Sequence, residues 1–325
     1  MTTIFTGPDD HTTTGSGSRD DGGHGTLERR ERRWGLLFVT PWLLGLVLLF
    51  ITPLVLSLLM SFTNYELIDT DDQEIAWVGF DNWQRVFSDP EVGNGLWVTL
   101  KFALMFVPVS TLLPLSVAYL LTSERLWGRG VFRLLFYLPS MVPLVAAMII
   151  WRFYLNAESG WFARLLRWFG LNPPNFLGDA DWVLPALVLI GTWGIGNAVI
   201  IFIAALNGVP TELYEAARID GAGKWRLFRD VTWPMISPIT FYNVIITLVG
   251  LGQYFLVPFI LQGVDGRPEG ASRFYTMVFY QETFSFFQAG YGAALAWAMF
   301  IVVFTLTALL FWSAKFWVHY EFEER

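Results

Sequence analysis

The chain has 325 residues, of which 54% are hydrophobic and only 15% are charged. Because soluble globular domains carry about 25% charged residues, this composition indicates a membrane protein. The chain has no cysteine, which excludes disulfides, thiol catalysis and thiolate metal sites. Much of the acid behind the net charge of −7 lies in tails and loops, so the charge gives no indication of a nucleic-acid partner.

Residues 1–33 are predicted to form a disordered cytoplasmic N-terminal tail. Segments 12–18 and 20–23 consist of Gly, Ser, Thr and Asp, and they cannot bury enough apolar surface to fold. The three histidines, His11, His24 and His319, are isolated, and none forms a pair at metal-ligand spacing. No metal site is predicted.

Six apolar runs are long enough to cross a membrane, which a helix does in roughly 20 residues. They are residues 34–62, 96–122, 134–155, 182–208, 235–262 and 291–317. We therefore predict an all-α polytopic membrane protein with a six-helix domain over residues 34–318 and a short cytoplasmic tail over residues 319–325. The first run is too long for the core of a signal peptide.

The basic residues predict the orientation of these spans. Arginines at positions 29, 30, 32 and 33 directly precede the first span, and such residues stay on the cytoplasmic side. The loop between the second and third spans contains three arginines, and the loop between the fourth and fifth contains four basic residues. Both loops and both termini are therefore predicted to be cytoplasmic.

A hydrophilic segment, residues 209–234, separates the fourth and fifth spans and is predicted to be a docking loop. A helix can begin in it at Thr211. Leu213, Ala216 and Ala217 fall on one face of this helix. Small alanines on an exposed helix allow the backbone of another protein to come close.

The second half of this segment is predicted to contain a turn and a second short helix. The glycines at 221 and 223 should end the first helix, and the second should run over residues 224–228 until Pro234 ends it. The run Gly-Ala-Gly-Lys at 221–224 superficially suggests a phosphate loop. It lacks the earlier glycine, however, and Trp225 replaces the Ser or Thr that would hold magnesium. The chain therefore has no ATPase motif of its own.

These residues resemble the signature of the permease subunits of ABC importers. That signature is Glu-Ala-Ala, three residues, Gly, nine residues, then Ile-x-Leu-Pro. The chain has Glu215, Ala216, Ala217 and Gly221 at this spacing, followed by Val-Thr-Trp-Pro at 231–234. Val and Trp replace Ile and Leu and remain apolar. Residues 217–222 are similar to the carbohydrate-uptake branch, the maltose- and glycerol-phosphate-type permeases.

The resemblance implies a type I importer permease in the cell (inner) membrane of a bacterium, and a set of partners. An ABC ATPase dimer would use ATP and magnesium, and the chain itself would bind no cofactor. A second, related permease subunit would complete the membrane domain, and an extracytoplasmic solute-binding protein would deliver a sugar or a related small polar solute. In the coupling loop, Glu215 would be the polar contact, Ala216 and Ala217 the close-packing surface and Gly221 the turn, which Asp220 would cap or brace.

Two other classes of function are weighed against this interpretation. No span carries a clearly central ionisable residue, and Lys101 and Arg152 lie near span ends. This disfavours a stand-alone, ion-coupled secondary transporter, which remains the alternative hypothesis. A membrane-embedded enzyme is disfavoured because the acidic residues of loop 69–74 have no paired base, histidine or metal motif.

Uncharged polar residues in two spans are candidates for the solute pathway. In the fifth span, four of them recur at i, i+4, i+7 and i+11, and Gly250 and Gly252 predict a local break before Gln253. In the fourth span, an aromatic residue and an amide lie one turn apart. The alternative is that these side chains hold helices together or anchor the membrane interface. The candidates are Asn243, Thr247, Gly250, Gln253, Tyr254, Trp193 and Asn197.

Overall fold

The computed structural model describes residues 22–68, 75–123 and 126–319, with side chains from Trp34 onward. Most of the predicted N-terminal tail, the acidic loop 69–74 and residues 320–325 lie outside this description. The helices are α1 (Gly22–Leu46), α2 (Thr52–Met60), α3 (Asp81–Ser88), α4 (Pro90–Thr122), α5 (Arg129–Tyr137), α6 (Leu144–Tyr154), α7 (Trp161–Trp168), α8 (Ala180–Trp193), α9 (Gly196–Asn207), α10 (Thr211–Ile219), α11 (Lys224–Leu227), α12 (Trp233–Leu251), α13 (Leu256–Gln262), α14 (Tyr275–Tyr280) and α15 (Ala289–Ala314).

The chain divides into two compact units, Met1–Leu56 and Ser57–Arg325. In the first unit, α1 begins at Gly22, so the last part of the predicted tail is helical. The physical reason is the run Leu-Glu-Arg-Arg-Glu-Arg-Arg at 27–33, because these residues are strong helix formers.

Four helical segments are long and apolar enough to cross a membrane: Trp34–Met60, Pro90–Thr122, Lys224–Leu251 and Ala289–Ala314. Two further pairs, α5 with α6 and α8 with α9, qualify together but are bent by 103° and 56°. In the described part of the chain, the predicted count of six spans therefore holds if each bent pair is one span. The third and fourth spans are broken rather than continuous.

Proline and glycine explain both breaks. After α5 the chain makes a 3-10 turn, Leu138–Met141, and α6 begins directly after Pro143. A proline has no N–H to donate and restricts the residue before it. In the fourth span, α8 ends before Gly194 and α9 begins at Gly196. A side chain at Gly196 would clash with the Phe136 carbonyl, so the glycine lets the two broken spans pack closely.

The fifth span continues as helix only to Leu251. Residues 252–255 form a turn, and α13 follows. The local break predicted around Gln253 is therefore present. Gly252 also permits close packing here, because a Cβ atom would lie 2.7 Å from Cγ2 of Val303 on α15.

Helix α4 is the scaffold on which the second unit packs. Phe102, at its centre, is fully buried. Its ring stacks on Tyr254 at a centroid distance of 4.9 Å and meets Phe274 edge-on at 5.2 Å. A second apolar cluster, nearer the end of α4, includes Leu115, Ala118, Phe202 and Ile236. The breaks before Tyr254 and before Phe274 are thereby held against one continuous helix.

We expect Phe102→Ala to destabilise the protein by about 3–5 kcal/mol, because it leaves a cavity where three rings meet. The measurement is unfolding in mixed detergent micelles. Leu104→Ala is the control, because Leu104 lies on the same helix and is exposed. Equal losses in the two variants would contradict this description of the core.

Candidate functional site

Helix α10 ends in a turn that requires glycine. Gly221 has φ +76°, and its N–H donates to the Arg218 carbonyl at 3.0 Å. The Ala222 N–H donates to the Ala217 carbonyl at 2.9 Å. These two bonds form a Schellman motif, which satisfies carbonyls at a helix C-terminus. The turn predicted at Gly221 is therefore present, and it is made by backbone groups.

The predicted contact face of α10 is rotated in the structure. Leu213, Glu215 and Ala216 are exposed, as expected, but Ala217 is half-buried together with Tyr214. Helical geometry explains this difference, because residues three apart share a face and Tyr214 packs inward. The outer surface of α10 therefore includes Leu213, Glu215 and Ala216, and Ala217 belongs to its inner side.

Three further residues, at the end of α10 and after it, enlarge this exposed surface. Ile219 is 87% exposed and Trp225, on α11, is 72% exposed. The Asp220 carboxylate forms no hydrogen bond or ion pair with any described residue, whereas its N–H donates to the Ala216 carbonyl at 3.1 Å. Sequence reasoning missed Ile219 and Trp225, because no periodic pattern distinguishes an exposed apolar residue from a core residue.

The prediction that Pro234 ends the second short helix is wrong. Helix α11 leads through a π-helical turn, Phe228–Thr232, directly into α12. The Trp233 N–H donates to the Phe228 carbonyl, five residues back. Pro234 then occupies the first turn of α12, where a missing N–H costs little. The wider turn thus allows the helix to pass a proline that would otherwise stop it.

A hydroxyl pair fastens α10 to this π-helical turn. Tyr214 Oη and Thr232 Oγ1 lie 2.9 Å apart. Thr232 Oγ1 also donates to the Leu227 carbonyl at 3.3 Å, and the residue is only 2% exposed. Since the Thr232 hydroxyl has one proton, Tyr214 is the donor in the pair.

One turn further along, the end of α15 reaches the base of α12. Pro238 has no N–H for the Pro234 carbonyl, and Ser237 Oγ donates to that carbonyl instead, at 2.7 Å. The His319 N–H donates to Ser237 Oγ at 2.9 Å, and Ser237 is fully buried. The residue that begins the predicted C-terminal tail is therefore tethered.

The structure divides the pathway candidates of the fifth span. Asn243 Nδ2 lies 3.2 Å from both the Ser110 carbonyl and Thr111 Oγ1 of α4. Tyr254 lies against Phe102, and Thr247 is half-buried. Asn243 and Tyr254 thus follow the alternative interpretation, in which polar residues hold helices together.

Gly250 and Gln253, by contrast, are exposed. Tyr242 and Ile246 share the exposed face of α12 with Gly250, at i, i+4 and i+8, and Gln253 is exposed in the turn that follows. Gln253 also borders a cavity of about 780 Å³ between α12, α14 and α15, which is lined mainly by aromatic and aliphatic residues.

The candidates of the fourth span lie at its break. Trp193 borders a second cavity, of about 370 Å³, together with Trp151, Tyr154 and Trp161. Asn197 is exposed in the first turn of α9. Trp193 and Gln253 therefore border different cavities. Within the described ranges, no three His, Asp or Glu side chains could hold a metal ion.

Residues 110–318, which contain α10 and both bends, match the family model of the binding-protein-dependent transport system inner membrane component. The chain belongs to this family. The permease is 31% identical to the probable ABC transporter permease protein YesP of Bacillus subtilis (strain 168), over 91% of this chain and 95% of that protein. It is 30% identical to the trehalose/maltose transport system permease protein MalF of Thermococcus litoralis, over 89% and 96% of the two chains.

A solved structure shares the fold of the permease. A chain of the bacterial ABC transporter that imports the acidic polysaccharide alginate superposes with a TM-score of 0.75, at 20% identity, over 89% of this chain and 98% of that one. The permease is thus an all-α, multi-pass membrane protein with the type I importer fold. It is a permease subunit of a binding-protein-dependent importer.

The permease also contains a polar cluster that sequence reasoning missed. Arg85 on α3 donates to Glu282 at 2.9 Å and to Gln288, and its guanidinium lies 3.8 Å above the Tyr291 ring. The Tyr291 hydroxyl donates to Asp89 at 3.1 Å. Burial raises the pKa of Glu282, and the Arg85 guanidinium opposes this rise. The cluster ties α3 to the start of α15.

We expect Ser237→Ala to destabilise the permease by about 1–3 kcal/mol, because the Pro234 carbonyl and the His319 N–H both lose their partner. Unfolding in mixed micelles measures the loss. Ser116→Ala is the control, because the exposed Ser116 hydroxyl bonds only to its own helix. An unchanged unfolding midpoint for Ser237→Ala would show that the tether carries no stability.

Arg85→Leu should also destabilise the permease by about 1–3 kcal/mol at neutral pH, since the buried Glu282 carboxylate loses its cation. The loss should shrink as the pH falls and Glu282 becomes protonated, because the neutral form needs no cation. Adding Glu282→Gln should recover part of the stability. A loss that does not depend on pH would contradict the pairing.

Proposed function

We propose that the permease forms part of an ATP-driven importer of a carbohydrate and that α10 is its docking element for the ATPase. The observation that carries the proposal is α10 itself. The helix presents Leu213, Glu215 and Ala216 outward, ends in a glycine turn, and bears the Glu-Ala-Ala signature of importer permeases.

The chemistry of this surface suits a groove on another protein. Exposed apolar residues, Leu213, Ile219 and Trp225, can bury their side chains there, and the small Ala216 allows close approach. The carboxylates of Glu215 and Asp220 offer polar contacts at the rim. In this proposal an ABC ATPase dimer binds ATP and magnesium, closes, and displaces α10.

The carbohydrate class rests on the relatives. Besides the trehalose/maltose permease, they include a probable starch degradation products permease of Thermoanaerobacterium thermosulfurigenes and an arabinooligosaccharides permease of Bacillus subtilis (strain 168). A bacterial alginate ABC transporter of the same fold forms a complex with a periplasmic protein that holds an alginate pentasaccharide. By analogy, a solute-binding protein would deliver the sugar on the side opposite α10. With α10 on the cytoplasmic side and six spans, both termini would also be cytoplasmic.

The solute would pass along exposed faces rather than through the packed bundle. The exposed face of α12, with Tyr242, Ile246 and Gly250, is available to line a path shared with a second permease subunit, and Gln253 is exposed in the turn that follows. Asn197 adds an exposed amide on α9. Amides can hydrogen-bond sugar hydroxyls, and aromatic rings can stack on sugar rings.

Purification of the tagged chain in mild detergent, followed by mass spectrometry, tests the proposed assembly. We expect an ATPase and a second six-span protein to be recovered with it. A chain that purifies alone and moves solute into liposomes without ATP would support the secondary-transporter alternative instead.

We expect Gly221→Pro to abolish solute-stimulated ATP hydrolysis and uptake, because proline cannot adopt φ +76° or donate to Arg218. Ala217→Trp should have the same effect, since Ala217 is half-buried on the inner side of α10 and a large ring does not fit there. Both activities can be measured in proteoliposomes containing the complete transporter.

The matched control for this prediction is Gly170→Pro. Gly170 also has φ +76°, and its N–H donates to Arg167 at 2.9 Å in an equivalent turn at the end of α7. The backbone damage is therefore the same at a site away from α10. Normal stimulated ATP hydrolysis in Gly221→Pro, or equal loss in Gly170→Pro, would refute the docking role.

A further inference from the structure

We propose that the hydrogen bond between Tyr214 and Thr232 transmits the movement of α10 to α12, which makes these two residues positioning residues for transport. The inference rests on the proposed function, in which an ATPase displaces α10. It adds the specific contact through which the displacement reaches a membrane-spanning helix.

Helix α10 has few other attachments to the rest of the protein. Most of its residues are exposed, and Tyr214 and Ala217 are the half-buried exceptions apart from the turn itself. In the described part of the chain, Tyr214 makes the only side-chain hydrogen bond between α10 and another element. A force applied to the outer face of α10 therefore reaches the bundle through the segments at its two ends, through the packing of the Tyr214 ring on the second apolar cluster, and through this bond.

Thr232, the partner of Tyr214, lies where the π-helical turn joins α12. Thr232 is the last residue of the π-helical turn, directly before α12, and it is 2% exposed. Its hydroxyl donates to the Leu227 carbonyl and accepts from Tyr214, so no water is needed to satisfy it. The bond thus joins α10 to the first turn of a helix that continues for 19 residues.

A second attachment holds α12 close to the same point. The relay from His319 through Ser237 to Pro234 ties the base of α12 to the end of α15. When α10 moves, Thr232 is displaced relative to this tether. Helix α12 then has to tilt, and its exposed face, which includes Tyr242 and Gly250, moves with it.

The experiment measures the number of solute molecules moved per ATP hydrolysed by the complete transporter in proteoliposomes. Tyr214→Phe and Thr232→Val each remove one hydroxyl and leave the shape unchanged. We expect either to lower the ratio about fivefold, the factor that corresponds to one hydrogen bond. Thr232→Ser should restore the ratio, and the double variant should be no worse than either single variant.

Two variants control for the chemistry of the substitution. Tyr119→Phe removes the hydroxyl of a ring that packs on Phe228 in the same π-helical turn. Thr240→Val removes a buried hydroxyl that bonds only to Ile236 on its own helix. Both should keep the wild-type ratio, because neither hydroxyl connects α10 to α12.

A cysteine-free chain also allows a direct measurement of the movement. Spin labels at Glu212→Cys and Arg229→Cys, two exposed positions, report the distance between α10 and the π-helical turn that leads into α12. We expect this distance to stay constant on ATP binding in the wild type and to change in Tyr214→Phe, because the helices then move separately.

Each result has a distinct meaning. Wild-type ratios in Tyr214→Phe and Thr232→Val would overturn the inference and leave the proposed function intact. Loss of the ATPase from the purified Tyr214→Phe complex would also overturn it, since the hydroxyl would then serve docking itself. A wild-type transporter without solute-stimulated ATP hydrolysis would overturn the proposed function and this inference together.

Discussion

A backbone carbonyl that loses its helical partner within a membrane protein must find another donor, because the bilayer core supplies no water. The permease meets this constraint with side-chain donors at several of the places where a helix is interrupted or ends. Ser237 serves the carbonyl that Pro238 leaves free, and Thr232 serves Leu227. Arg152 donates to Ile260 and Leu261 at the end of α13. At each of these three positions, a side chain therefore fixes the local geometry of the backbone.

These side-chain donors hold the interrupted segments in a defined geometry. Two of them lie within a few residues of each other at the base of α12, where α10 and the end of α15 also arrive. At the other end of the bundle, the Arg85 cluster joins α3 to the start of α15. Helix α4 is continuous over its 33 residues, and it provides the surface on which the broken helices pack.

The long spans and the break near Gln253 could be predicted because they depend on local composition, namely apolar length and glycine spacing. The passage through Pro234 could not, since it depends on a π-helical turn that no residue type encodes by itself. The sequence also could not predict whether the Asn243 side chain contacts a neighbouring helix or faces a cavity. An amide that bonds a neighbouring helix and one that faces a cavity have the same sequence pattern, and only the position of Ser110 and Thr111 decides between them. Arg85 and Glu282 are nearly 200 positions apart, so nothing local links them.

The exposed Ile219 and Trp225 bear on what happens to a subunit that has not yet assembled. An isolated molecule would display two large apolar side chains on a hydrophilic loop, where they can be recognised as unassembled surface. The ATPase that we propose to dock on α10 would cover them. On that proposal, cells that make this subunit in excess of the ATPase should remove the surplus by proteolysis, so that the supply of the partner sets how many transporters accumulate.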